Sequence, residues 1–289
     1  MKNYKEHDKE SIRRVIESGL KRDLHMHTYH SDGLLSPEEI IDLRVSQGYE
    51  LLAITDHDGA TGSKVGMEYA EKIGLPFISG IELDSEDELG KDLHILGYGY
   101  DYNYKGFKDV LWEIRQARAN RNDRLMKALN DMGYNITLDD IGRINDGRYV
   151  GKPTFAQILE ERGVVDNYHE VFNTIYREDS IRAIKKVTLS SLVAIVTIQE
   201  AGGVAVMAHP MEQRHRGESL EEFIPRMYKI LDRMREYGID GIECKHPSAS
   251  EEQSEMLMEY ADKYGLIVTE GSDIHSPYQV RDYSRYYKP

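Results

Sequence analysis

The sequence predicts an α/β protein in which strands and helices alternate around a parallel sheet. Short apolar runs are separated by stretches that begin and end with helix signals, and this alternation is typical of βαβ units. The alternation holds up to residue 100, stops over residues 101–187 and resumes from residue 188. Histidines and carboxylates follow the apolar runs, where the carboxyl ends of parallel strands meet and active sites form.

The first part of the predicted α/β domain covers residues 1–100. Its clearest helix start is Ser-Pro-Glu-Glu at 36–39, because the serine suits the N-cap, the proline suits the first helical position and Glu39 completes a capping box. The elements expected here are a charged helix ending at Gly19, strands at 21–27, 49–55, 75–81 and 92–100, and helices at 36–48 and 61–73.

Residues 101–187 predict a helical insertion that would cap the substrate. The segment is rich in charge, its apolar residues recur at helical spacing, as at Val110 and Ile114, and strand alternation is absent. The second part of the α/β domain is expected over residues 188–289. Its elements are helices at 189–200, 219–237 and 250–264 and strands at 204–208, 241–244 and 266–269.

Composition and charge narrow the class of protein. The chain has 289 residues, of which 40% are hydrophobic and 30% charged, an ordinary globular composition. Its net charge of −14 repels long polyanions, so no duplex DNA partner is expected, whereas small phosphorylated substrates are compatible. The single cysteine, Cys244, forbids an intramolecular disulfide. No secretory leader or membrane-spanning run is visible, so we expect a cytoplasmic protein without a membrane partner.

The strongest functional signal is the stretch at 23–33, Asp-Leu-His-Met-His-Thr-Tyr-His-Ser-Asp-Gly. His25 and His27 are two residues apart, so on a strand both imidazoles point to one side, and Asp32 lies on the turn that follows. One histidine alone is more often structural than a ligand, but nine donors near successive strand ends favour a metal centre. The candidate metal ligands are His25, His27, Asp32, His57, Glu82, His94, His209, Asp273 and His275.

This donor set predicts both the metals and the chemistry. Nine nitrogen and oxygen donors exceed the needs of one tetrahedral zinc ion and suit two or three divalent ions that share a carboxylate. Without thiolate, the set favours Mn²⁺, Zn²⁺ or Fe²⁺, and Mg²⁺ is less favoured. Two such ions about 3.5–4 Å apart lower the pKa of a shared water and offset charge on a phosphoryl group. The sequence thus predicts a metal-dependent phosphoesterase acting through an activated water.

Six segments resemble those of the polymerase and histidinol phosphatase (PHP) superfamily of metal-dependent phosphoesterases. They are Asp-Leu-His-Met-His-Thr-x-x-Ser-Asp-Gly at 23–33, Ile-Thr-Asp-His-Asp at 54–58, Ser-Gly-Ile-Glu at 79–82, His-Ile-Leu-Gly-Tyr at 94–98, Ala-His-Pro at 208–210 and Gly-Ser-Asp-Ile-His at 271–275. The resemblance implies a distorted (β/α)7 barrel with a helical insertion. Within the superfamily the chain resembles stand-alone bacterial enzymes that hydrolyse nucleoside 3′,5′-bisphosphates and trim short oligoribonucleotides, which implies a nucleotide or short RNA as substrate.

The resemblance also implies how the donors divide among the ions. The first ion would be held by four residues, His25, His27, Glu82 and Asp273. A second ion would share Glu82 and add two more ligands, His94 and His209. A third position would be completed by Asp32, His57 and His275, or, where only two ions are bound, these three catalytic residues would hold the substrate. Asp56 is expected to orient a ligand instead of binding metal.

Substrate contacts are predicted at two positions, each with a structural alternative. Residues 151–156, Gly-Lys-Pro-Thr-Phe-Ala, resemble a family segment that reads Gly-Arg-Pro-His-Ile-Ala. Lys152 either meets a phosphate as a point charge or only starts a helix, and Thr154 lacks the imidazole of histidine. His246 either contacts the substrate, acts as a proton donor or is structural. A helical row either guides a phosphate or forms a solvated face, and its members are Arg118, Arg121 and Arg124.

Two other functions are compatible with the sequence. One is a histidinol-phosphate phosphatase of the same superfamily, which the helical insertion and the Gly-Lys-Pro-Thr segment disfavour. The other is a non-catalytic PHP module, which the retention of all nine donors disfavours.

Overall fold

The computed structural model describes residues 8–145 and 150–278, with Asn145 described by its backbone alone. The chain divides into two compact units, one formed by residues up to 110 and from 189 onward and the other by residues 111–188. The second unit therefore begins ten residues after the start expected for the helical insertion at 101–187, because one long helix contains the boundary.

Helices and strands alternate through the first unit, and the second unit is helical. The helices are α1 (Lys9–Ile16), α2 (Pro37–Ser46), α3 (Thr61–Ile73), α4 (Lys105–Asp131), α5 (Leu138–Asn145), α6 (Lys152–Glu161), α7 (Tyr168–Asn173), α8 (Asp179–Arg182), α9 (Ser191–Glu200), α10 (Leu220–Glu236) and α11 (Glu251–Tyr264). The strands are β1 (Arg22–Asp23), β2 (Leu51–Leu52), β3 (Gly80–Glu86), β4 (Asp92–Tyr98), β5 (Leu189–Ser190), β6 (Val204–Met207), β7 (Gly241–Lys245) and β8 (Ile267–Glu270). None of the described helices is long and apolar enough to cross a membrane.

The strands of the first unit form two sheets that single bridges connect. The larger sheet has the order β5-β3-β4-β6-β7-β8, and β1 pairs with β2 in parallel. Beyond β1, Met26 bridges to Ile274 after β8, and beyond β2, His57 bridges to Glu82 in β3. These isolated bridges join the two sheets at residues that follow β1, β2 and β8, and closure of the predicted seven-stranded barrel stays a prediction.

Strand β4 runs antiparallel to both of its neighbours, which differs from the all-parallel sheet expected from the βα alternation. Only residues 87–91 connect β3 to β4, and so short a connection suits an antiparallel pair but is too short for a crossover helix. Because β4 is reversed, its first residues lie at the same end of the sheet as the last residues of the parallel strands. This reversal brings His94 to the end of the sheet where the other donors lie.

Strand β3 also differs from its expected position. The apolar run 75–81 predicted a strand ending at Glu82, whereas β3 begins at Gly80 and continues to Glu86. Glu82 and Asp84 thus lie inside the strand and on the same face, because side chains alternate along a strand. Asp84 is the direct cross-strand partner of His94.

Apolar side chains of β2, β4, β6 and β8 and of the segments beside the strands meet in one buried cluster of the first unit. Its members include Leu24, Leu51, Ala53, Leu96, Tyr98, Val204, Val206 and Ile267. The second unit has a separate apolar cluster of its own, which includes Leu125, Leu129, Phe155, Leu159 and Tyr176. Each unit thus buries apolar surface independently, which is the main source of its stability.

Candidate metal centre

The backbone after β1 and after β8 brings the first donors together. His27 N–H donates to the carbonyl of Ile274 (2.9 Å), and Asp273 N–H donates to the carbonyl of His25 (2.8 Å). These bonds place the Asp273 carboxylate beside the two imidazoles, with its Oδ1 3.2 Å from Nε2 of His27. The side chains of His25 and His27 are fully buried.

Glu82 lies at the middle of the cluster, and its two oxygens face two different pairs of histidines. Its Oε2 is 3.3 Å from His25 Nε2 and 3.2 Å from His27 Nε2. Its Oε1 is 2.9 Å from His94 Nδ1 and 3.1 Å from His209 Nε2. A carboxylate that offers one oxygen to each of two donor pairs is suited to bridging two cations.

Three further donors adjoin this core. Oδ1 of Asp32 is 3.2 Å from His275 Nε2, and its Oδ2 is 3.9 Å from His57 Nε2. Nδ1 of His57 is 3.3 Å from Oε2 of Glu82. His57 therefore connects Asp32 and His275 to the donors around Glu82. The structure therefore brings all nine predicted donors into one cluster.

The hydrogen bonding of the buried imidazole nitrogens, and their distances from the carboxylate oxygens, show whether divalent cations fit this cluster. Nε2 of His25, Nε2 of His27 and Nδ1 of His57 are buried and make no hydrogen bond to any described residue, although carboxylate oxygens lie 3.2–3.3 Å away. Two ligands that each lie about 2.0–2.1 Å from a tetrahedral ion are themselves about 3.3 Å apart. The distances and the nitrogen and oxygen donor set fit divalent cations.

The charges of the cluster also favour a bound cation. Burial alone would lower the pKa of His27, but the neighbouring carboxylates of Asp273 and Glu82 outweigh it and raise the pKa to about 9. Burial likewise opposes ionisation of Glu82, but the charges of His57, His25 and His94 hold its pKa well below its usual range. The carboxylates thus attract positive charge to the cluster, which protons or divalent cations can supply in competition.

The cluster is open to solvent on one side. The side chains of His25, His27 and Glu82 are at most 1% exposed, whereas those of Asp32 and His94 are 35% and 31% exposed. A substrate in solution therefore meets the cluster first at Asp32 and His94.

Sequence reasoning missed two carboxylates that contact the donors. Oδ1 of Asp84 lies 3.1 Å from His57 Nδ1 and 3.2 Å from His94 Nε2. Glu243, in β7, has Oε1 3.0 Å from His25 Nδ1. A signal was present for each, because Asp84 is two residues from Glu82 on one strand and Glu243 interrupts an apolar run.

Asp56 and His246 lie beside the cluster. Asp56 accepts hydrogen bonds from Thr28 N–H and from the hydroxyls of Thr28 and Ser31, all at 2.7 Å, so it holds the loop that follows His27. The His246 side chain is 1% exposed, its Nδ1 is 2.7 Å from Ser248 Oγ, and its Nε2 is 3.6 Å from Oδ2 of Asp273.

The remaining predicted contact residues lie in the second unit. Lys152 is the first residue of α6, is half-buried, and has Nζ 5.3 Å from the ring centroid of Tyr176. Burial and the charge of Arg121 lower the pKa of Lys152. Arg121 is 5% exposed and Arg124 is exposed, so the arginine row is not a uniform solvated face. Thr154 Oγ accepts a hydrogen bond from Gly151 N–H (3.2 Å) and so caps α6.

Comparisons with known proteins agree with this geometry. The PHP domain family matches residues 23–179, more than half of the chain. The chain is 32% identical over 256 residues to the 3′,5′-nucleoside bisphosphate phosphatase of Chromobacterium violaceum, covering 88% of this chain and 87% of that protein. It is 29% identical over 257 residues to a 5′-3′ exoribonuclease of Haemophilus influenzae, covering 89% and 90% of the two chains.

A solved structure shows the same fold. The crystal structure of a protein from Bifidobacterium adolescentis, assigned as a metal-dependent phosphoesterase, matches with a TM-score of 0.74 and 32% identity over 89% of this chain and 88% of that one. This chain therefore belongs to the PHP family and is a metal-dependent phosphoesterase.

Proposed function

We propose that this phosphoesterase acts on small nucleotides, either nucleoside 3′,5′-bisphosphates or the ends of short oligoribonucleotides. The observation that carries the hydrolytic chemistry is the Glu82 carboxylate, whose two oxygens face two separate pairs of histidines and so suit two cations. The names of the two curated relatives support a nucleotide or RNA substrate. The net charge of −14 favours a small substrate over duplex DNA.

The nine donors would hold two or three divalent cations, and their chemistry favours Mn²⁺, Zn²⁺ or Fe²⁺. The first cation would be held by His25, His27, Glu82 and Asp273, and the second by Glu82, His94 and His209. Cations bound there would act as Lewis acids that lower the pKa of a water and offset negative charge on the phosphoryl oxygens.

The third group of donors would act on the substrate from the open side of the cluster. Asp32 and His275 form a close pair, with Oδ1 3.2 Å from Nε2, and Asp32 is the more exposed of the two. Burial and the charge of His27 lower the pKa of His275, so we propose that Asp32 orients a neutral imidazole and that a nearby histidine or a water gives the leaving oxygen of the ester its proton. His57 lies between Asp32 and Glu82, and we propose that it sets the distance between these two carboxylates.

Phosphate recognition would come from the helical unit, which we propose to be the substrate cap. Arg121 and Lys152 place two cationic side chains together, and the N–H groups at the start of α6 favour an anion there. His246 has too little exposed surface to meet a substrate, and its Nε2 approaches Asp273, so we propose that it holds that carboxylate in place.

A substrate panel tests the proposal. Purified protein supplied with Mn²⁺ should release phosphate from adenosine 3′,5′-bisphosphate faster than from histidinol phosphate. The substitutions His25→Ala and Asp273→Ala should abolish this turnover, whereas His169→Ala, at an exposed position in the helical unit, should not. A preference for histidinol phosphate, or no turnover of either a bisphosphate or a short oligoribonucleotide, would contradict the proposed substrate class.

A further inference from the structure

Glu243 is a fully buried carboxylate outside the nine predicted donors. It lies in β7 between Ile242 and Cys244, both also buried, and its own exposure is 0%. Burying an ionised carboxylate costs several kcal/mol (about 2–7 even for an uncharged polar group) unless it is paired and hydrogen-bonded. Its partners therefore explain why a glutamate stands at this position.

Both carboxylate oxygens of Glu243 contact candidate metal ligands. Oε1 lies 3.0 Å from Nδ1 of His25, and Oε2 accepts a hydrogen bond from the backbone N–H of His209 at 2.8 Å. His25 follows β1 and His209 follows β6, so one side chain in β7 connects two donors from two other strands.

The contact with His25 determines which ring nitrogen carries the proton. An ionised carboxylate only accepts hydrogen bonds, so Nδ1 of His25 must be the donor. Nε2 then faces Oε2 of Glu82 at 3.3 Å and, without a hydrogen bond to any described residue, has its lone pair available for a cation. Histidines that bind metal commonly donate their other N–H to a carboxylate in this way.

The contact with His209 supports an unfavourable backbone conformation. His209 has φ of +28° and ψ of +63°, in a region that residues with a side chain rarely adopt. The bond from its N–H to Glu243 helps to hold this turn, which directs Nε2 of the imidazole to within 3.1 Å of Oε1 of Glu82.

Gly271 allows the close approach on which these contacts depend. A Cβ at this position would lie 2.2 Å from Cβ of His25 and 3.0 Å from Oε1 of Glu243. The chain therefore has a glycine where any side chain would push His25 away from its carboxylate partner.

We propose that Glu243 is a positioning residue of the metal centre. It keeps the proton of His25 on Nδ1, so that Nε2 binds the first cation, and it holds the turn that presents His209 to the second. The inference rests on the proposed function, because it requires that the cluster binds metal.

The substitution Glu243→Gln tests this role with little change of shape. An amide has only one acceptor atom, so either His25 or the His209 N–H must face an NH2 group. We expect the affinity for Mn²⁺, measured by titration of metal-free protein, to fall about 10–100-fold. Because the defect is in cation binding, a higher Mn²⁺ concentration should restore turnover, which a general structural defect would not allow. Glu236→Gln, the same change at an exposed position on α10, is the matched control and should bind Mn²⁺ like the wild type.

The outcomes separate this inference from the proposed function. If the wild type binds no Mn²⁺, the metal centre itself is wrong and the inference falls with it. If the wild type and Glu243→Gln bind Mn²⁺ equally, only the positioning role is overturned.

A second measurement needs no variant and so does not depend on whether Glu243→Gln folds. Nitrogen-15 NMR of the Zn²⁺-loaded wild type should show His25 protonated at Nδ1 and metal-bound at Nε2. The opposite tautomer would overturn the positioning role.

Discussion

At the scale of single residues, buried carboxylates do much of the positioning around the cluster. Asp56 accepts three hydrogen bonds from the loop that follows His27, two of them from Thr28 and one from the Ser31 hydroxyl. Ser31 Oγ in turn lies 3.4 Å from Nδ1 of His27. Through Ser31, the Asp56 carboxylate thus influences the orientation of His27, a candidate metal ligand.

The substitution Asp56→Asn is predicted to destabilise the protein. An amide cannot accept all three hydrogen bonds, so at least one buried donor loses its partner, at a cost of about 1–3 kcal/mol. The free energy of unfolding from urea titrations measures the change. Asp262→Asn, at an exposed position on α11, should change it by less than about 0.5 kcal/mol. Equal effects of the two substitutions would show that the Asp56 network does not contribute to stability.

At the scale of secondary-structure elements, helix ends follow their local chemistry. The capping box predicted at Ser36 and Glu39 is confirmed, with Ser36 Oγ accepting from Glu39 N–H at 3.1 Å and Glu39 accepting from Ser36 N–H at 2.8 Å. Helix α5 begins with a similar pair, in which Thr137 Oγ accepts from Asp140 N–H at 3.2 Å. Such ends depend on neighbours within four residues, so sequence alone determines them.

The start of α5 predicts a pH-dependent contribution to stability. Hydrogen bonds from the hydroxyl and N–H of Thr137, together with Arg162, lower the pKa of Asp140 to about 2. Because the folded pKa lies below the unfolded value of about 3.9, this stabilisation is nearly complete above about pH 5 and is lost as the pH falls toward 2. Asp140→Ala should therefore cost about 1 kcal/mol at pH 7 and progressively less below about pH 5.

Urea titrations at several pH values measure this difference. Asp166→Ala, at an exposed position in the same unit, is the control and should show a smaller effect at pH 7. A cost for Asp140→Ala that does not change between pH 7 and pH 3 would contradict the role of its charge.

At the scale of the whole molecule, the metal centre depends on strands that are far apart in the sequence. His25 and Glu243 are 218 residues apart, and Glu82 and His209 are 127 residues apart. The first unit must therefore be folded from both of its sequence segments before the donors meet. Cation binding and folding of this unit are consequently coupled.

This coupling predicts that divalent cations stabilise the protein. A ligand that binds only the folded state adds about 2.7 kcal/mol at a concentration of 100 times its Kd. Mn²⁺ should therefore raise the urea midpoint relative to protein in EDTA, and His209→Ala should greatly reduce the increase. His169→Ala should leave it unchanged, because that residue lies exposed in the other unit. An equal increase in the His209→Ala variant would contradict the assignment of this donor.

Much of the fold and of the candidate site was predictable from local patterns. The α/β class and the family are confirmed, and all nine predicted donors lie in one cluster. The assignment of each donor to an ion stays a prediction. The reversal of β4 and the start of β3 at Gly80 were not predicted, because strand direction follows from pairing and connection length and not from an apolar run.

The sequence by itself determined which residue types follow the strands, how the helices begin and which family the motifs resemble, because these features depend on spacing over a few residues. Tertiary structure alone decided that Glu82 offers one oxygen to each of two histidine pairs and that Glu243 contacts both His25 and His209. The physical reason is that hydrogen bonds and ligand contacts act over about 3 Å. Only the packing of distant strands brings such atoms within that distance.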